Sequence, residues 1–94
     1  MSGVFYELKD QFNRDHDYIM NMVSEIKGTS RSTMIMATTW KVKQILDRMQ
    51  HCLDECYIDG MTKNEYNNLD KFIEDLNVEI WEMLYDIAQN IERR

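Results

Sequence analysis

Apolar residues recur at intervals of three and four along the last third of the chain. This spacing places them on one face of an α-helix, as expected for a helix that packs against a core. No glycine or proline interrupts residues 62–92, so we predict one long helix there. Its apolar face consists of Leu69, Phe72, Ile73, Leu76, Ile80, Met83, Leu84, Ile87 and Ile91.

Thr62 and Glu65 mark the beginning of this helix. They form the pattern T-x-x-E, a capping box in which each side chain accepts a hydrogen bond from the backbone N–H of the other residue. Acidic residues are concentrated in the first half of the segment, and Arg93 and Arg94 follow it. Both placements of charge are stabilising, because the helix dipole is positive at the N-terminus and negative at the C-terminus.

Two earlier segments show a related periodicity. Each has a row of apolar residues spaced seven apart, which predicts helices over about residues 4–27 and 32–58. Gly28 and Gly60 follow these segments, at the position where helices commonly end in glycine. The two rows consist of Phe5, Phe12, Ile19 and Ile26, and of Ile35, Val42, Met49 and Cys56.

Two stretches leave alternatives open. The polar run at residues 13–17 allows a break in the first helix. Residues 33–42 are rich in side chains that favour β-strands. No other segment has the pattern of a partner strand, and a single strand would leave its backbone groups unpaired, so we favour a helix there.

The predicted fold is therefore all-α, with a single domain over residues 1–94 and three helices at about 4–27, 32–58 and 62–92. Helices two and three are joined by only about three residues, which makes them antiparallel neighbours in a long hairpin. A chain of 94 residues builds only a modest core. We expect homo-oligomerisation to complete it.

Five large apolar residues fall outside the main rows, and they are the predicted partner-binding residues. Tryptophan, tyrosine and methionine are enriched at protein interfaces. The set on helix three lies well off its main apolar face. It therefore either packs against the first helix or forms an association surface. The five residues are Met36 and Trp40 on helix two, and Val78, Trp81 and Tyr85 on helix three.

Composition limits the classes of function. Apolar residues make up 44% and charged residues 30% of the chain, as in a folded globular protein. A net charge of −6 disfavours direct binding to nucleic acid or to an anionic membrane. No apolar stretch is long enough to span a membrane, and no signal peptide is evident. We expect a cytoplasmic protein whose two cysteines are reduced.

The connection between helices one and two is the candidate anion-binding site. Residues 27–33 combine two cations, four hydroxyls, a glycine and the free N–H groups of a helix N-terminus, which together suit a phosphate. The other interpretation is a solvated connection with a serine or threonine N-cap. The residues assigned to the anion site are Lys27, Gly28, Thr29, Ser30 and Arg31.

No catalytic residue, metal site or cofactor is predicted. Cys52 and Cys56 share one helix face, but helical cysteines in an apolar row are more typical of a core than of a metal site. Asp15 and its polar neighbours point in different directions on a helix, so we expect a solvated face there. Glu79 and Glu82 would need further carboxylates on a facing helix to hold magnesium.

The leading hypothesis is a small non-enzymatic helical protein that binds a protein partner and inhibits, sequesters or scaffolds it. Small acidic single-domain chains of this kind include viral inhibitors of host defence. The alternative is an oligomer that binds a phosphorylated small ligand, such as a nucleotide, through residues 27–33. An enzyme is the third and least supported hypothesis.

Overall fold

Three helices make up the fold in the computed structural model of the chain: α1 (Gly3–Glu25), α2 (Ser32–Ile58) and α3 (Lys63–Glu92). The structure describes residues 3–28 and 31–92, with side chains through residue 89. Every regular element in these ranges is helical, and α2 and α3 pack against each other more extensively than either packs against α1. The predicted all-α architecture with three helices is confirmed.

α1 and α2 are continuous in the two stretches where the sequence allowed alternatives. α1 passes through residues 13–17 without a break. Residues 33–42 are helical despite their β-forming side chains. In both stretches the apolar row of the helix faces the other two helices, and this packing outweighs weak local propensities.

The core runs along the axis of a bundle that measures 51 by 16 by 16 Å. Each helix contributes the face that its apolar row predicts. Phe72 and Met83 of the predicted α3 face are only half-buried, at the margin of the core, and the side chain of Ile91 lies outside the described residues. The most deeply buried side chains are Phe12, Ile19, Val23, Val42, Met49, Leu53, Leu69 and Ile80.

A tight turn ends α2 and reverses the chain. Gly60 has φ +119°, a conformation that L side chains rarely adopt. Its N–H donates to the carbonyl of Tyr57 at 3.3 Å, and the N–H of Met61 donates to the carbonyl of Cys56 at 3.3 Å. These two bonds form a Schellman motif, and the side chain of Met61 is buried as that motif favours.

The capping box at the start of α3 forms as predicted. The N–H of Glu65 donates to the Thr62 hydroxyl at 3.2 Å, and the N–H of Thr62 donates to Glu65 Oε1 at 3.0 Å. Two of the backbone donors that a helix N-terminus leaves unpaired are thereby satisfied. Because the Schellman motif precedes this box directly, α2 and α3 are connected without a flexible linker.

The connection between α1 and α2 is capped differently from the prediction. Gly28 has φ +84° just after α1. Arg31 is the N-cap of α2, and its side chain makes no capping hydrogen bond, so the expected serine or threonine cap is not used at this position. Thr29 and Ser30 lie outside the described residues.

Asp15 is buried, and the expectation of a solvated face at this position is wrong. Only 6% of the residue is exposed, because it occupies a position in the apolar row of α1. Its Oδ1 accepts hydrogen bonds from Arg48 Nη2 of α2 and from Gln11 Nε2, both at 3.1 Å. Asp15 therefore joins α1 to α2 through a charged hydrogen bond inside the packed seam.

No part of α1, α2 or α3 in the described residues has both the length and the apolar character that crossing a bilayer requires.

We predict that Thr62→Ala lowers the free energy of unfolding by about 1 kcal/mol, because it removes the hydroxyl that caps α3. Urea unfolding followed by circular dichroism measures the effect. Ser32→Ala is the matched control, since Ser32 lies in the first turn of α2, where the N-cap side chain makes no capping bond. Equal loss in both variants would contradict a specific role for the capping box.

Arg48→Met should lower the free energy of unfolding by about 1–2 kcal/mol, because it leaves the buried Asp15 carboxylate without its cation. This loss of stability should be smaller than for a fully buried ion pair, because the Arg48 side chain is 60% exposed. The double variant Asp15→Leu with Arg48→Met should recover most of this loss, because leucine suits the apolar row. A double variant less stable than Arg48→Met alone would show that the pair itself is required.

Candidate functional site

The five predicted partner-binding residues are all exposed. Met36 is 71% and Trp40 62% exposed on α2, while Val78 is 56%, Trp81 38% and Tyr85 64% exposed on α3. The first helix therefore does not cover the α3 set. We call these five residues the aromatic flank.

The α3 half of the aromatic flank lies on the side of α3 away from α1. Phe72 of α3 contacts α1, with its ring 5.9 Å from the ring of Phe12. Trp81 follows Phe72 by about two and a half helical turns, which places it on the opposite side of α3. Trp81 thus points towards the side of the bundle formed by α2 and α3.

The α2 half of the aromatic flank lies partly on the same side of the bundle. Asp54 of α2 faces α3, because its Oδ1 accepts a hydrogen bond from the Tyr66 hydroxyl at 2.9 Å. Met36 precedes Asp54 by about five whole turns and so shares its side of α2, and Trp40 follows Met36 by one turn. Met36 therefore lies on the side of α2 that borders α3, whereas Trp40, nine residues before the buried Met49, points away from the core into solvent.

The antiparallel register also places the two tryptophans at about the same height. Tyr66 of α3 meets Asp54 of α2 through its hydroxyl and Tyr57 through its ring, at 4.8 Å between centroids. Trp40 precedes Asp54 by about four helical turns, and Trp81 follows Tyr66 by about four turns. Because the helices are antiparallel, the two tryptophans lie at about the same height. The aromatic flank thus lies in the half of the bundle farther from the α2–α3 turn.

Hydrogen bonds along α3 hold two of these aromatic side chains in place. Trp81 Nε1 donates to Asn77 Oδ1 at 3.2 Å, and Asn77 Nδ2 donates to the carbonyl of Ile73 at 3.1 Å. The Tyr85 hydroxyl accepts a hydrogen bond from Gln89 Nε2 at 2.6 Å. Side chains held in this way lose less conformational entropy when a partner covers them.

The aromatic flank is bordered by a shallow depression on α2 and by acidic side chains on α3. A shallow depression of about 250 Å³ beside Trp40 is lined by Ile35, Met36, Thr39 and Lys43. On α3, the exposed carboxylates of Glu74 and Glu82 lie one turn before and one turn after Val78. The flank is therefore apolar at its centre and mainly acidic along α3.

The predicted anion site is only partly described. Lys27 and Gly28 border a small depression with Asp86 of α3, and the carboxylate of Asp86 opposes an anion there. Arg31 lies at the start of α2, while Thr29 and Ser30 fall outside the described residues. Among the described residues of this site, Lys27 and Gly28 line the depression and Arg31 does not.

The two cysteines lie at the edge of the core. Cys52 and Cys56 are free thiols, half-buried, and pack against the core. Burial raises the pKa of Cys56, and Cys52 and Asp59 add to this effect, so its thiol stays protonated at neutral pH. Within residues 3–28 and 31–89, no three His, Cys, Asp or Glu side chains are grouped so that they could hold a metal ion.

Sequence reasoning missed the polar cluster at the α2–α3 turn. Tyr66 donates to Asp54, which also accepts from Gln50 Nε2 at 3.1 Å. The bond to Asp54 raises the pKa of Tyr66, since it favours the protonated hydroxyl. Ile58 beside this cluster is 82% exposed. Only knowledge of the turn geometry could have placed Tyr66 next to Asp54.

Comparisons with protein-family models, curated proteins and solved structures find no match. The function is therefore inferred from the geometry of this chain alone.

The two tryptophans should differ in solvent access, and acrylamide quenching of single-tryptophan variants measures this. Trp81→Phe leaves Trp40, which should be quenched more strongly, because Trp40 is 62% exposed and Trp81 only 38%. In urea the two variants should be quenched equally. Stronger quenching of Trp81 than of Trp40 in dilute folded protein would contradict the described positions.

Proposed function

We propose that this protein is a small helical interaction protein that binds a macromolecular partner through the aromatic flank. The supporting observation is the exposure of five large apolar side chains on α2 and α3. Buried aromatic side chains supply most of the binding energy in typical protein interfaces. The partner would be inhibited, sequestered or scaffolded by this contact, and a viral inhibitor of host defence is one form of the proposal.

The proposed partner presents an apolar segment with basic residues beside it. Trp40 and Trp81 would contact the apolar side chains, and the carboxylates of Glu74 and Glu82 would face the basic ones. An amphipathic helix with lysine or arginine on its margins fits this arrangement, because it can lie along the groove between α2 and α3. Charge complementarity would mainly increase the association rate and the selectivity for such a partner.

A second copy of the chain is the other occupant that we consider for the aromatic flank. Homo-oligomerisation would cover the same apolar side chains and would add to a modest core. It would also bring two acidic α3 helices near each other, which costs energy unless Lys43 of one copy lies near the other copy's acids. Self-association and partner binding would then compete for one surface.

The alternative function, binding of a phosphorylated small ligand through residues 27–33, has less support. Asp86 borders the depression next to Lys27 and Gly28. A carboxylate bordering the same depression weakens the attraction of Lys27 for an anion.

Affinity capture with the tagged protein from cells of its source tests the main proposal. The double variant Trp40→Ala with Trp81→Ala should lose the captured partner by at least about tenfold, since each aromatic anchor typically contributes 1–2 kcal/mol or more. The matched control is Tyr18→Ala with Ile58→Ala, which removes exposed apolar side chains elsewhere. Equal loss of the partner in both double variants would contradict binding at the aromatic flank.

Sedimentation of the same variants separates the two occupants. If a second copy covers the aromatic flank, wild-type protein at micromolar concentration should sediment as an oligomer and the tryptophan double variant as a monomer. A wild-type monomer would remove the self-association part of the proposal and leave the partner as the occupant.

A further inference from the structure

A groove between α1 and α2, on another side of the bundle from the aromatic flank, collects positive charge. It has a volume of about 510 Å³, and Arg14, Lys41 and Arg48 line it. The whole chain has a net charge of −6, yet three of the residues that line this depression are cations. The one carboxylate among the lining residues is that of Asp15, which is already paired with Arg48.

The two arginines in this groove are joined by a chain of hydrogen bonds. Arg48 Nη2 donates to Asp15 Oδ1 at 3.1 Å, and Gln11 Nε2 donates to the same oxygen. Arg14 Nη2 donates to Gln11 Oε1 at 2.9 Å. Each arginine uses one nitrogen in these contacts, and the Arg48 side chain is 60% exposed, so further guanidinium donors face the groove or solvent.

The buried position of Asp15 gives this network its rigidity. A residue in the apolar row of α1 that is only 6% exposed has little freedom to change its rotamer. Asp15 therefore orients the guanidinium of Arg48 at the edge of the groove. Residues behind a binding site commonly orient the side chains that contact the ligand in this way. An arginine fixed before binding loses less entropy when it contacts an anion.

We propose that the groove between α1 and α2 is a binding site for a compact phosphorylated small molecule. Arginine donors match phosphate oxygens in pairs, and Lys41 adds a point charge. Tyr18 and Ile45 line the same groove and offer an apolar wall to a ring attached to the phosphate. The volume falls within the usual range for small-ligand sites.

A nucleic acid is a poorer match than a small molecule. Binding to a polynucleotide requires cations along several consecutive phosphates. The exposed faces of α1 and α2 beside the groove carry acids such as Asp10, Asp17 and Asp47, so a long polyanion leaving the groove would meet like charge. The ligand of this site is therefore inferred to be small enough to stay between α1 and α2.

Calorimetric titration with inorganic pyrophosphate and with adenosine monophosphate tests this site, in about 150 mM salt to screen non-specific attraction. Wild-type protein should bind at least one probe saturably. The double variant Arg14→Gln with Lys41→Gln should weaken binding by about tenfold or more. Lys9→Gln with Lys71→Gln is the matched control, because it removes the same number of positive charges from exposed positions outside the groove, and its Kd should change less than about twofold.

Three outcomes would overturn the site. The first is no saturable binding of either probe to folded wild-type protein. The second is an equal loss in the groove variant and its control, which would mean attraction by overall charge. The third is a loss caused by Lys27→Ala with Arg31→Ala while the groove variant binds normally, which would assign the ligand to residues 27–33. Circular dichroism and melting of each variant establish that it is folded.

Discussion

Each helix has one apolar face, and the three faces must meet along a single seam. This constraint determines the rest of the structure. Residues such as Phe12, Val42 and Ile80 fill the seam and are almost fully excluded from solvent. The seam leaves no place for a second apolar set, so Trp40 and Trp81 remain on the surface. The aromatic flank is therefore a direct consequence of how three amphipathic helices share one core.

Asp15 is the polar exception in that seam. Its carboxylate takes an apolar position of α1 and is paired with Arg48 of α2. Buried ion pairs add little to stability compared with apolar residues of similar size. We expect this pair instead to favour one register of α1 against α2. It also fixes a cation beside the groove where we propose that a phosphorylated molecule binds.

Sequence alone predicts the local parts of this molecule well. The capping box at Thr62 and Glu65 and the helix-ending glycine at Gly60 depend on neighbouring residues, and the structure forms both. The burial of Asp15 was missed because its cation comes from another helix. Likewise, the sequence identified Trp40 and Trp81 separately, but only the antiparallel register places them at about the same height along the bundle.

Photo-crosslinking from the aromatic flank tests the central claim most directly. Tyr85→p-benzoylphenylalanine places a photoreactive group beside Trp81, on the exposed side of α3. In cells, irradiation should attach this position to one defined protein, which is the partner or a second copy. The same group at Ile58, which is 82% exposed near the α2–α3 turn, should give no such adduct. A defined adduct from position 58 and none from position 85 would contradict the aromatic flank as the binding surface.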